Sequence, residues 1–113
     1  MDIDKLITYL ASTDEAYSKI QAEVSYGEDM LKHIKGIYIS KSELSVSKAT
    51  EDFYGSANYT NHIAKLHTLN LELLELKNKR RTAEMKIEVW RTLEASRRKG
   101  NIWQLIIMNW YMQ

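Results

Sequence analysis

The sequence predicts an all-α protein: a long antiparallel helical hairpin of coiled-coil type, with a short N-terminal helix, assembling into an oligomeric bundle. Three observations carry that expectation. The 113 residues contain no proline and only four scattered glycines, Gly27, Gly36, Gly55 and Gly100, so little compels a helix to stop. Apolar residues recur at alternating spacings of three and four along two separate stretches, the signature of a heptad seam. A serine-rich interruption separates those stretches, which suits a turn between two helices. The whole chain is expected to form a single helical domain.

The first element is expected over residues 2–11, where Ile3, Leu6, Ile7 and Leu10 make an apolar stripe. Ser12 or Thr13 then resembles a helix N-cap, with Asp14 and Glu15 in the first turn, where the helix dipole favours acids. A long helix over 14–42 follows. Along it Tyr17, Ile20, Val24, Gly27, Leu31, Ile34 and Tyr38 alternate three and four.

The pattern falters at 43–47, where serines compete for backbone hydrogen bonds and Ser45 or Ser47 can cap a short helix carrying Ala49, Phe53 and Tyr54. A pause is expected at Gly55-Ser56. The strongest stretch runs from about 57 to 98, where His62, Leu66, Leu69, Leu73, Leu76, Arg80, Ala83, Ile87 and Trp90 hold the heptad phase. Leu71, Leu74, Val89 and Leu93 widen this stripe, which implies burial against more than one neighbour. A two-helix hairpin leaves much of each stripe wet. Self-association is the physical remedy, and the expected self-association seam is Tyr17, Ile20, Val24, Leu31, Ile34, Leu66, Leu69, Leu73, Leu76, Ile87 and Trp90.

Residues 101–113, NIWQLIIMNWYMQ, carry no charge. Thirteen residues are too few for a bilayer, which needs about 20, so no membrane span is expected. Ile102, Leu105 and Ile106 stand at helical spacing. The segment is expected to form a short helix that buries Trp103 and Leu105 as packing surface, since it lacks the Lys/Arg-rich polar face of an interfacial anchor.

Composition removes several functions. Without cysteine there are no disulfides, thiolate metal sites or cysteine nucleophiles. His62 and His67 stand five apart, about 500° around a helix, and no Glu precedes any histidine by three, so neither a metal nor another cofactor is expected. No two glycines lie closer than nine residues, which excludes a glycine-rich phosphate loop, and no Gly-x-Ser-x-Gly elbow exists. The carboxylate pairs Glu72/Glu75 and Glu84/Glu88 have cationic neighbours (Lys79, Arg81, Arg91) one turn away, as on an ion-paired exposed face. A non-enzymatic protein is the expectation. The acidic start Met1-Asp2-Ile3-Asp4 lacks a signal-peptide layout, so a cytoplasmic location is expected.

Charge is unevenly spread. Residues 1–76 carry seven Lys/Arg and twelve Asp/Glu, a net of −5, whereas 77–99 carry nine and three, a net of +6. Such a split favours antiparallel pairing or a polyanion. Lys79, Arg80, Arg81, Arg97, Arg98 and Lys99 are therefore candidate nucleic-acid contacts, with Arg80, Arg97 and Lys99 the cations most available to a ligand. Aromatic interleaving is thin, with only Trp90 and Trp103 nearby.

Ser45-Val46-Ser47-Lys48-Ala49, Phe53-Tyr54-Gly55-Ser56-Ala57-Asn58-Tyr59 and the run from Ala83 to Arg98 resemble small helical proteins of tailed bacteriophages and prophages, often encoded beside recombination and single-strand-binding genes. The resemblance covers roughly residues 14–100, and its most specific part is the ending Ile87-Glu88-Val89-Trp90-Arg91-Thr92-Leu93-Glu94-Ala95-Ser96-Arg97-Arg98. It implies a phage accessory protein in a bacterial host cell, acting on a protein partner in DNA metabolism or against host defence. It supplies no catalytic motif. Proteins of this kind stop soon after the Arg-Arg pair, so residues 101–113 depart from the pattern.

Overall fold

The computed structural model describes residues 2–99 and 102–113, the side chains of the last segment from 106 onward. The fold is all-α, a long antiparallel helical hairpin. Its elements are α1 (Ile3–Lys41), α2 (Val46–Tyr54), α3 (Ala57–Arg98) and α4 (Ile102–Met112), and no strand occurs among the described residues.

α1 is one helix of 39 residues, which corrects the expected boundary at 12–13. Asp2 caps it instead, its carboxylate accepting from the backbone N–H of Asp4 at 3.0 Å and of Lys5 at 3.4 Å. Ser12 and Thr13 act inside the helix: both hydroxyls donate back to the Tyr9 carbonyl, at 3.0 and 2.8 Å. A side chain satisfied this way leaves the backbone ladder intact. The heptad phase also runs unbroken through the supposed break. Ile3, Leu6, Leu10, Thr13 and Tyr17 lead into Ile20 at alternating spacings, and all are half-buried.

The interruption falls at 42–45. Ser42 accepts from the Leu44 N–H at 3.1 Å, and Ser45, extended at φ −60° and ψ 156°, caps α2 by accepting from Lys48 N–H. Gly55 closes α2, and Ser56 opens α3, its hydroxyl donating to the Phe53 carbonyl at 2.6 Å and accepting from the Tyr59 N–H at 3.2 Å.

The chain divides into two compact units, Met1–Ala16 with Glu75–Gln113, and Tyr17–Leu74. Within the second unit, Gly27 of α1 lies against Leu66 of α3. A Cβ built there would lie 2.6 Å from Cδ2 of Leu66, so the missing side chain is what admits Leu66 into the seam. Ala49 and Phe53 of α2 are fully buried. Phe53 sits among Tyr38, Tyr54 and Tyr59, with ring centroids 5.4 to 5.7 Å away, in the tilted geometry aromatic pairs prefer.

Within the first unit, the start of α1 lies along the second half of α3, and the buried residues of α3 are Arg80, Ala83 and Leu93. Here the charge split finds its use. Asp14 of the acidic start pairs with Arg80 of the basic half of α3 at 2.8 Å.

Candidate functional site

Arg80 is where expectation and structure part most clearly. It occupies a heptad position, is 9% exposed, and points into the seam rather than toward a ligand. Its guanidinium donates to the Leu10 carbonyl at 2.8 Å, to Thr13 Oγ1 at 2.6 Å and to the Asp14 carboxylate at 2.8 Å. A guanidinium carries five donors in a fixed fork, and this one spans a full turn of α1. Three polar groups thus meet where the heptad would place apolar ones. A single polar layer in a coiled-coil seam fixes register at some cost in stability.

The other basic candidates stay on the surface. Arg97 is engaged with Glu94 at 2.9 Å, and the neighbouring Arg91 with Glu88 at 2.9 Å; neither Arg80 nor Arg97 is therefore an available cation of the kind the charge count suggested. Lys79, Arg81, Arg98 and Lys99 are exposed. Lys79 and Arg81 stand two residues apart on a helix, about 200° around its axis, so they do not converge on one phosphate track. Lys79 and Lys86 flank a shallow groove of about 400 Å³ beside Tyr9. The Tyr9 hydroxyl is buried with no hydrogen-bond partner.

Of the eleven residues expected to form a self-association seam, Leu66 lies against Gly27 of α1. Val24 is buried, and Tyr17, Ile20, Leu31, Ile34, Leu66, Leu69, Leu73, Leu76, Ile87 and Trp90 are half-buried. Their exposure matches a two-helix contact with one open flank.

Residue type alone did not reveal the polar group at the end of the second unit. Tyr38 donates to the Asp52 carboxylate in a short hydrogen bond. Lys35 donates to the Tyr54 hydroxyl at 2.8 Å and lies 4.9 Å above the Tyr54 ring centroid. The hydrogen bond to Asp52 pushes the Tyr38 phenol above its ordinary value, with desolvation and the carboxylate's charge adding to it. The four residues tie α2 to α1 across the turn. Phe53 at the centre was visible as an apolar position of α2, but its polar surround depends on contacts 14 to 19 residues away in sequence.

Two apolar surfaces lie outside these contacts. On α3 of the second unit, Ile63, Leu71 and Leu74 are 38%, 48% and 52% exposed. They share an arc of about 80° whose centre is roughly 130° from the seam line of His62, Leu66, Leu69 and Leu73. On α4, Ile106, Ile107 and Trp110 are exposed. Ile107 also borders a groove with Val89, Thr92 and Leu93 of α3. The expected burial of Trp103 and Leu105 lies outside the described residues. No described helix is long and apolar enough to cross a membrane.

Of the histidines, His62 is half-buried in the seam and His33 and His67 are exposed. Among the described residues, no three His, Asp or Glu side chains gather into a metal site. No family model, curated protein or solved structure matches this chain.

Proposed function

We propose that this chain is a non-enzymatic accessory protein of a phage or prophage that works through protein contacts as an oligomeric helical bundle. The observation that carries the reading is the outer stripe Ile63, Leu71 and Leu74, left exposed after the hairpin has closed its own seam. Fully burying a Leu or Ile stabilises by about 1.5–3 kcal/mol; from a half-exposed start each gives about half that. Three such residues on each of two chains supply on the order of 4–9 kcal/mol. Association itself costs about 4–15 kcal/mol, so the stripe supports reversible assembly that depends on concentration, not an obligate dimer. Bacterial cytoplasm as the location, and a partner in phage DNA metabolism or anti-host defence, follow from the resemblance described above.

Sedimentation velocity over a concentration series tests the assembly. The wild-type chain is expected to associate as concentration rises, and Leu71→Glu/Leu74→Glu to remain monomeric with unchanged helix content. A wild-type chain that stays monomeric throughout would sink the proposal.

Nucleic-acid contact through Lys79, Arg81, Arg98 and Lys99 is the weaker reading. Two of its six candidate cations are engaged within the protein, and Lys79 and Arg81 diverge around α3. Salt-sensitive DNA binding that is lost in Arg81→Glu and Arg98→Glu would reverse that ranking.

A further inference from the structure

α4 is eleven residues long and carries no charge. Apart from Gln104 and Asn109 its residues are apolar or aromatic, and such a helix is normally enclosed by protein or lipid, yet Ile106, Ile107 and Trp110 are 54%, 56% and 79% exposed. These three fall within about 100° of arc, so they form one continuous apolar face. At about 16 Å the helix is far too short to span a bilayer. It is long enough to lie within the headgroup layer, where tryptophan's apolar body and polar N–H are both accommodated.

The second observation is the charge beside that face. Residues 95–113 contain no Asp or Glu; Arg97 is held by Glu94, which leaves Arg98 and Lys99 as exposed cations beside α4. Lys99 precedes Ile102 by three residues, so the basic cluster and the root of α4 lie within about 11 Å of each other along the chain. An apolar helix and a basic cluster together make the two-part signal that stable interfacial binding requires. The basic residues come from the end of α3, so α4 needs none of its own.

We propose that α4 docks in the headgroup layer of an anionic membrane, with Ile106, Ile107 and Trp110 in the interface and Arg98 and Lys99 against the lipid phosphates. An anionic surface neutralises the cluster while covering the apolar face. A second copy of this chain would bring a further pair of cations.

Flotation of the full chain with vesicles tests this. Phosphatidylcholine vesicles containing phosphatidylglycerol should carry the protein, and pure phosphatidylcholine vesicles should not. Arg98→Glu/Lys99→Glu, which alters only exposed side chains, should weaken partitioning at least roughly thirty-fold, since each cation near such a surface contributes about a factor of five to ten. Ile106→Ser/Trp110→Ser should abolish it, with helix content checked by circular dichroism. The proposal is overturned by absent binding to the phosphatidylglycerol-containing vesicles, by equal binding to both kinds, or by tail variants that change sedimentation without lipid while leaving vesicle binding intact.

Discussion

Replacing Arg80 by methionine separates two roles that a buried arginine can play. The side chain is 11% exposed, whereas Asp14 is 74% exposed, so their ion pair is worth at most about 1 kcal/mol. The bonds to the Leu10 carbonyl and Thr13 contribute about 1–3 kcal/mol together. Against these stands the desolvation of the guanidinium, which costs several kcal/mol. Methionine keeps most of the stem and removes the charge. Neither α1 partner is orphaned, because the Leu10 carbonyl keeps its helical bond and Thr13 still donates to Tyr9. Arg80→Met is therefore expected to change unfolding free energy by no more than about 1 kcal/mol in either direction. Arg80→Ala also deletes the buried stem and should cost about 1.6 kcal/mol, at about 0.8 kcal/mol for each of the two methylenes lost. Urea unfolding followed by circular dichroism measures both. A loss of about 3 kcal/mol or more in Arg80→Met would refute the view that the layer specifies register without net stabilisation. A silent Arg80→Ala would refute its burial.

The two glycines inside α1 should differ, Gly27 facing α3 and Gly36 exposed. Nothing lies within 4 Å of a Cβ at Gly36, so Gly36→Ala is expected to stabilise by about 0.5–1 kcal/mol. At Gly27 the same gain is offset by displacing the terminal methyl of Leu66, leaving Gly27→Ala near neutral, while Gly27→Val should lose about 1–3 kcal/mol; thermal unfolding reads all three. Tyr9→Phe removes a buried hydroxyl that has no partner and should raise stability by up to about 1 kcal/mol, so a clear loss in chemical denaturation would expose a missing partner. Because the folded state holds the Tyr38 phenol above its ordinary value of 10.0, the contribution of this group is fully present below that pH and is lost as pH rises through the raised value. Denaturation midpoints of wild type should thus fall at alkaline pH more steeply than those of Tyr38→Phe, and parallel profiles would contradict the contact with Asp52.

Helical periodicity made α3 legible, because nine seam positions keep phase from His62 to Trp90. The same phase, followed through Leu10, Thr13 and Tyr17, would have shown that α1 does not break. The Ser12-Thr13-Asp14-Glu15 run instead matched a capping pattern, and a polar Thr at a seam position hid the continuity. Arg80 posed the same conflict in reverse. Residue type suggested a ligand contact, whereas its place between Leu76 and Ala83 put it in the seam. In both cases position outweighed chemistry. Pairings such as Tyr38 with Asp52 join different helices, and no local pattern announces them. The apolar tail was visible as packing material, but its exposure emerges only once the hairpin has used its own seam.

The central claim is that the heptad seam closes within one chain, leaving the outer face of α3 for assembly. The chain has no cysteine, so two introduced at Gln21 and Glu72 take spin labels uniquely. These exposed positions lie six residues before Gly27 and six after Leu66, one on each antiparallel helix and displaced from the observed contact toward the same end. Electron–electron distance measurement on the doubly labelled protein, mixed with excess unlabelled protein and refolded together, should give a short distance that persists on dilution. A short distance that disappears on dilution would place the seam between chains and contradict the account.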